Sequence, residues 1–268
     1  MTGLSKSAWK KVKKWTSPTF LSQVMEINRI ASLPRFQAGE TTLLGQKFQF
    51  SDSSSFIQSY HEIFEQKLYS FNSDNNAPII LDCGANIGLS ILYYKKLYPN
   101  ARIIGFEPDP NLFKILKTNL QQFNHEDVEL HQKAVLDSRE KVFFLAQGGS
   151  SGQVLNGNEK LMNGSVIEVD AVTLNSFITS AIDFLKIDIE GAEYRVLKSI
   201  EDRLHFVEKI FVEYHSFPNQ EQELDRILTL LRKANFRYYL YPSVNKDLPF
   251  QGIDSGEMDM QLNIYAIR

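Results

Sequence analysis

The chain has 268 residues, 43% hydrophobic and 23% charged, the balance of a globular protein able to bury a sizeable core. A net charge of −3 argues against a general nucleic-acid binder, whose domain would be basic. No stretch reaches 18 consecutive apolar residues, so no membrane span is expected. The one cysteine, Cys83, allows no intramolecular disulfide and suits a reducing compartment. With no apolar core or cleavage site after the basic start, the expectation is a cytoplasmic protein.

Residues 1–15 alternate Lys6, Lys10, Lys11, Lys13 and Lys14 with Leu4, Ala8, Val12 and Trp15, the apolar members at helical spacing. Such a basic amphipathic helix either docks on the main domain with its lysines in water or contacts an anionic membrane surface or acidic partner. Phe20 to Ile30 is expected to be helical, Thr42 to Phe50 a hairpin about Gly45, and Ser55 to Tyr69 a helix capped by Asp52 or a nearby serine. Residues 1–76 are taken as a helical lead-in and 77–268 as the main domain.

From residue 77 strands alternate with helices. Pro78 to Leu81 is a buried strand and Arg102 to Phe106 the next. The helix Asn111 to Phe123 and a third strand, Val128 to Val135, follow. Lys141 to Gln147 and Val166 to Leu174 read as a hairpin-like pair. Asp183 to Ile189 is a fourth core strand, with a helix over 192–200, and Lys209 to His215 is a fifth. Gln220 to Ala234 is strongly amphipathic, and Tyr238 to Tyr241 and Gln261 to Ile267 close the sheet as an antiparallel pair. This order predicts an α/β fold with a doubly wound, mostly parallel sheet. Ligands in such sheets bind beyond the carboxyl ends of the strands, here Asp82, Glu107, Asp188 and His215.

The stretch Leu81-Asp-Cys-Gly-Ala-Asn-Ile-Gly-Leu-Ser90 is a strand, a glycine turn and the start of a helix. A dinucleotide fingerprint, G-x-G-x-x-G, fails because Asn86 stands at its second glycine and Leu89 at its third, which disfavours a nicotinamide oxidoreductase. Asp82-x-Gly84-x-Asn86-x-Gly88 followed by Glu107 fits the turn that holds S-adenosylmethionine. Glu107 is placed to accept both hydroxyls of a ribose. Without a ligand the same residues would be a plain strand–helix turn.

Farther on, Asp188, Glu190 and Glu193 surround the end of the fourth core strand. Glu190 and Glu193 fit a helix N-terminus, where its dipole favours acids, while Asp188 points to the same rim as Asp82 and Glu107. Glu213 and His215 share one face of the fifth strand. At the rim His215 is either a hydrogen-bonding residue or a general base. Asp188, Glu213 and His215 could together hold a divalent cation, but nothing in their spacing demands one and no metal is assigned. Gly148-Gly-Ser-Ser-Gly152 is a hairpin tip or a lid over the site.

The motifs LDCGANIG, FEPDP, QKAV, the Gly-Ser-Ser loop, FLKIDIEGAE and EYH, spread over residues 77–235, together resemble the FkbM-type methyltransferases. The resemblance implies a class I, Rossmann-like fold with a seven-stranded sheet, an antiparallel C-terminal strand and S-adenosylmethionine as cofactor. It implies methylation of a hydroxyl on a small molecule or sugar. It also implies that Asp82, Gly84, Asn86 and Gly88 surround the methionine part, Glu107 the ribose, and Pro108 and Asp109 one side of the adenine with Ala134 on the other. Asp188 and Glu190 would face the methyl group and the acceptor. Apart from the resemblance, the shared place of these residues at the rim gives the expectation that His215 or Asp188 takes the proton while Glu190 helps position the acceptor. The alternative of another class is a methyltransferase fold that binds a partner without catalysis.

Overall fold

The computed structural model describes residues 18–149, 152–155, 165–218, 220–243 and 258–268. The basic segment 1–15 and the two serines of the Gly-Ser loop, Ser150 and Ser151, lie outside the described residues. The lead-in contains α1 (Pro18–Ala31), a hairpin of β1 (Gly39–Thr41) and β2 (Phe48–Phe50), and α2 (Ser53–Tyr60). The hairpin turn closes as expected, with the Gly45 N–H donating to Thr42 O at 2.9 Å. Asp52 caps α2 by accepting the Ser55 N–H at 3.0 Å. The helix runs on as a π-helical turn, His61–Glu65. It ends short of the expected Tyr69, because Lys67 adopts a left-handed conformation, φ +62°, which no helix continues.

The alternating part comprises β3 (Ile79–Cys83), α3 (Leu89–Leu97), β4 (Arg102–Phe106), α4 (Pro110–Gln122) and β5 (Glu129–His131). A small sheet of β6 (Ala134–Val135), β7 (Lys141–Ala146), β8 (Gln153–Val154) and β9 (Ser165–Val172) follows. The chain closes with β10 (Ile182–Ile187), α5 (Glu193–Ser199), β11 (Val207–Ser216), α6 (Leu224–Lys233), β12 (Arg237–Pro242) and β13 (Met260–Ile267). The main sheet has seven strands in the order β12-β13-β11-β10-β3-β4-β5. β11, β10, β3, β4 and β5 pair in parallel and β12 points the same way, while β13 runs antiparallel to both its neighbours. This is the seven-stranded arrangement that the resemblance implies. No helix among the described residues is long and apolar enough to cross a membrane.

Two sequence expectations change. Val128 to Val135 is not one strand: Glu129–His131 pairs with β4, and Ala134–Val135 crosses to pair with β9 in the small sheet. The chain leaves the main sheet where an edge strand has no further neighbour to follow. The amphipathic helix begins at Leu224 rather than Gln220.

Strand alternation sorts the core into two layers. Leu81, Cys83, Leu185 and Ile187 face α5 and α6, where they pack with Val196, Leu197, Ile227 and Leu231. Ile80, Phe184 and Phe211 face the other way, onto α3 and the lead-in. There Phe71 stacks on Phe184 with centroids 4.6 Å apart, and Tyr69 meets Phe211 edge-on at 5.0 Å. Asp82 and Lys186 are register partners on this second face.

A buried polar side chain joins the β1–β2 hairpin of the lead-in to the alternating part. Asn119 of α4, fully buried, donates to Gln49 O at 3.0 Å and to Ile87 O at 2.9 Å, and accepts the Gln49 N–H at 2.7 Å. Asn119→Ala is expected to destabilise the chain by about 2–4 kcal/mol, lowering Tm by roughly 5–15 °C. A thermal melt showing a fall of under about 2 °C would mean that the hairpin separates from α4 at little cost.

Candidate active site

The carboxyl ends of β3, β4 and β10 open onto one pocket, lined by the glycine turn, Glu107, Pro108, Asp109, Ala134, Lys186, Asp188 and Glu190. The turn is built from the backbone outward. Gly84 has φ +89°, and a Cβ there would sit 2.0 Å from the Asp188 carbonyl oxygen, so the ends of β3 and β10 touch only because this residue is glycine. Gly88, φ +96°, starts α3 where a Cβ would press on Leu116. The turn's own groups use its N–H donors. Gly84 and Ala85 donate to Phe106 O at 3.0 and 2.8 Å, and Gly88 donates to Ala85 O at 2.9 Å. Ile87 donates to Asn86 Oδ1 at 2.7 Å and Asn86 to Glu107 Oε2 at 2.9 Å.

Glu107 is buried and accepts a second N–H, from Asp109, through Oε1 at 2.9 Å. Asp109 in turn caps α4, accepting Asn111 N–H at 2.7 Å. Ala134 lies across the pocket on β6, beside Phe144 and Val154 of the small sheet. Gln147, Gly148 and Gly149 also line it, so the near half of the glycine loop belongs to the site wall.

The floor is an ion cluster that the sequence reading did not anticipate. Lys186 is 1% exposed, with its ammonium 3.2 Å from Asp82 and 3.1 Å from Asp188. It donates to Gly84 O at 2.8 Å and lies 5.6 Å from the Tyr69 ring centroid. Burial alone would depress this amine, but the Asp188 and Asp82 carboxylates outweigh it and hold it above its ordinary range. Asp82 also accepts from Ser90 Oγ at 2.5 Å. A lysine inside the apolar run Phe184-Leu-Lys-Ile was the available signal, since lysine is almost never fully buried unless paired.

Of the expected site residues, Gly84, Asn86, Asp188 and Glu190 line the pocket, whereas Asp82, Gly88 and His215 do not. Glu190, in left-handed backbone at φ +58°, is pushed by burial up to about 7, against the pull of His215. His215 meets Glu190 Oε2 at 3.6 Å and Glu193 Oε1 at 2.9 Å. Glu193 opens α5, the helix-end place expected for it, accepts the Gly191 N–H and is also buried beneath the imidazole. The lead-in supplies the remaining wall through Ser51, Asp52, Ser55, Phe56, Ser59 and Ile63, none of which carried a motif.

The sequence matches the methyltransferase FkbM domain over residues 82–238, more than half of the chain. The chain belongs to the FkbM methyltransferase family. Methyltransferase sdnD of Sordaria araneosa is 30% identical over 188 residues, covering 58% of this chain and 73% of that one. Methyltransferase 1 of Beauveria bassiana is 30% identical over 167 residues, 53% of this chain and 66% of the relative. The 31-O-demethyl-FK506 methyltransferase FkbM of Streptomyces tacrolimicus is 25% identical over 253 residues, covering 81% and 90%. In this FkbM-family chain the matched region holds the turn, Glu107, Lys186, Asp188, Glu190 and His215, while the wall contributed by residues 51–63 falls outside it.

Burial pushes Glu107 up from 4.5 to about 8, only partly offset by its two backbone donors. The stability tied to its neutral form is full below about pH 4.5 and is lost as pH rises through 8. The Tm difference between Glu107→Gln and wild type, both without ligand, should therefore move in favour of the variant between pH 5 and pH 9. About 1 kcal/mol or more is expected, equivalent to at least roughly 2–4 °C. Melts at successive pH values check this, and a pH-independent difference refutes it.

Proposed function

We propose that the chain is an S-adenosylmethionine-dependent methyltransferase acting on a hydroxyl oxygen of a small molecule or sugar. Residues 77–268 form its catalytic domain and residues 1–76 its lead-in. The observation that carries the cofactor is the hydrogen bonding of the turn. Five successive N–H groups, from Gly84 to Gly88, are bonded within the protein. A pyrophosphate needs such donors free. Among the polar groups lining the pocket, the carboxylates of Glu107, Asp188 and Glu190 suit a ribose diol and a ligand bearing cationic sulfonium and ammonium groups. Asp82, Gly84, Asn86 and Gly88 would hold the methionine part, Glu107 the ribose, and Pro108, Asp109 and Ala134 the adenine.

When bound, S-adenosylmethionine supplies a methyl group already activated on a sulfonium. The protein's task is then to align an acceptor oxygen and to receive its proton. Asp188 and Glu190, when ionised, accept hydrogen bonds only, which matches a hydroxyl. Asp188 is held by Lys186, so Glu190 is the freer proton acceptor, and His215 acts as a positioning residue behind it. A positioned base accounts for about 10²–10⁴ in rate, and alignment for several kcal/mol more. The O-methyl transfer named for the Streptomyces relative supports the same class of acceptor atom.

Two measurements follow. Saturating S-adenosylhomocysteine at about 100-fold over Kd should stabilise the wild type by roughly 2.7 kcal/mol. That corresponds to a rise in Tm of about 5–10 °C, with Glu107→Ala reducing the rise and NADH giving none. A shift with NADH alone defeats the cofactor assignment. With an accepted substrate, Glu190→Gln should lower kcat by about 10²–10⁴ while leaving S-adenosylhomocysteine binding intact, and unchanged kcat removes Glu190 as the base.

A further inference from the structure

Where the pocket ends at Asp188, a group of side chains continues inward. Among the described residues, Asp188, Glu213 and His215 each offer one ligand atom, and these atoms all lie within 4.8 Å of one another. His215 is 4% exposed. Its Nδ1 lies 2.9 Å from Glu193 Oε1, and that carboxylate is itself fixed by the Gly191 N–H at 2.9 Å. The carboxylate at Nδ1 fixes the orientation of the ring and turns Nε2 toward the other acidic oxygens.

At Nε2 the closest described groups are Gln261 Nε2 at 3.5 Å and Glu190 Oε2 at 3.6 Å, both beyond a normal N–H···O bond. A buried imidazole nitrogen therefore faces carboxylates with no short partner. Anchoring one imidazole nitrogen on a carboxylate while the other is presented to acidic oxygens is how metal-bound histidines are oriented. The surroundings are anionic beyond the trio, since Glu62 of the π-helical turn acts electrostatically on Asp188 and Glu213. Glu213 is also fixed, accepting from the Gln261 amide.

We propose that Asp188, Glu213 and His215 bind one divalent first-row cation. Two carboxylate oxygens and one imidazole nitrogen suit Mn²⁺, Fe²⁺, Co²⁺ or Zn²⁺, and three protein ligands leave coordination positions open. The ligand atoms need to close only modestly, to roughly 3–4 Å from one another, around an ion with bonds of about 2.0–2.2 Å. Because Asp188 also lines the pocket, an acceptor hydroxyl can take an open position and be polarised there. That role rests on the methyltransferase reading, whereas binding of the ion does not.

The test is titration of the chelator-treated full chain with Mn²⁺, followed by calorimetry and electron paramagnetic resonance. One Mn²⁺ per chain is expected, with binding weakened at least tenfold by Glu213→Gln and by His215→Ala. Glu213→Gln keeps the shape of the side chain, and both variants should retain the thermal shift with S-adenosylhomocysteine, which reports a folded pocket. No bound Mn²⁺ in the wild type, or equal affinity in wild type and Glu213→Gln, overturns the proposal. Binding of Mn²⁺ by a wild type that shows no S-adenosylhomocysteine shift would uphold the cation site and sink the methyltransferase reading instead.

Discussion

A single buried ammonium organises the site. Lys186 sits between Asp82 and Asp188, on the ends of adjacent parallel strands, and reaches Gly84 O. Desolvating such groups costs several kcal/mol each, and only close pairing with further hydrogen bonds offsets that cost. Removal of any one partner leaves an uncompensated charge beside the turn. The cluster is thus a weak source of net stability but a strong constraint on geometry. It ties the two strand ends together at the point where Gly84 and the Asp188 carbonyl come into contact.

Around that constraint the two faces of the sheet divide the work. The face bearing Leu81, Cys83, Leu185 and Ile187 is apolar at these central positions and packs on α5 and α6. The opposite face begins with Ile80 and Phe184, sealed by Phe71 and Tyr94, and turns polar at Asp82 and Lys186 as it nears the rim. The same alternation therefore makes a dry core at one end of the strands and an acidic pocket at the other. The lead-in follows this gradient, with Phe71 over the apolar part, Tyr69 at the boundary, and Ser51, Ser55 and Ser59 at the pocket.

Much of this was legible in the sequence because backbone demands leave a residue signature. Gly84, Gly88 and Glu107 mark a tight turn and a strand end, and alternating apolar runs marked all five parallel strands. The third was drawn too long, since Val128 to Val135 has no local feature to show that it changes sheets. Asp188 and Glu190 were found through their place after a strand. Lys186, Glu62 and the partnership of Glu193 with His215 were missed, because they depend on which elements meet in space. A lysine in an apolar strand signals a buried partner, but its identity requires the register of β3 against β10. Periodicity cannot reveal the pocket wall of residues 51–63, whose serines resemble those of any exposed loop.

The placement of β13 has a consequence for how the molecule comes into being. This strand lies between β11 and β12, both earlier in the chain, and pairs with β11 from Lys209 to Ser216. Until residues 260–267 have been synthesised, β11 exposes an unpaired edge beside the acidic cluster, and β12 has no neighbour in the sheet. Such open edges are where nascent chains associate wrongly. Gln261, which reaches both Glu213 and His215, arrives on that last strand. The inner end of the pocket can take its final form only when the sheet closes, so a nascent chain reaches the glycine turn well before it reaches a finished pocket.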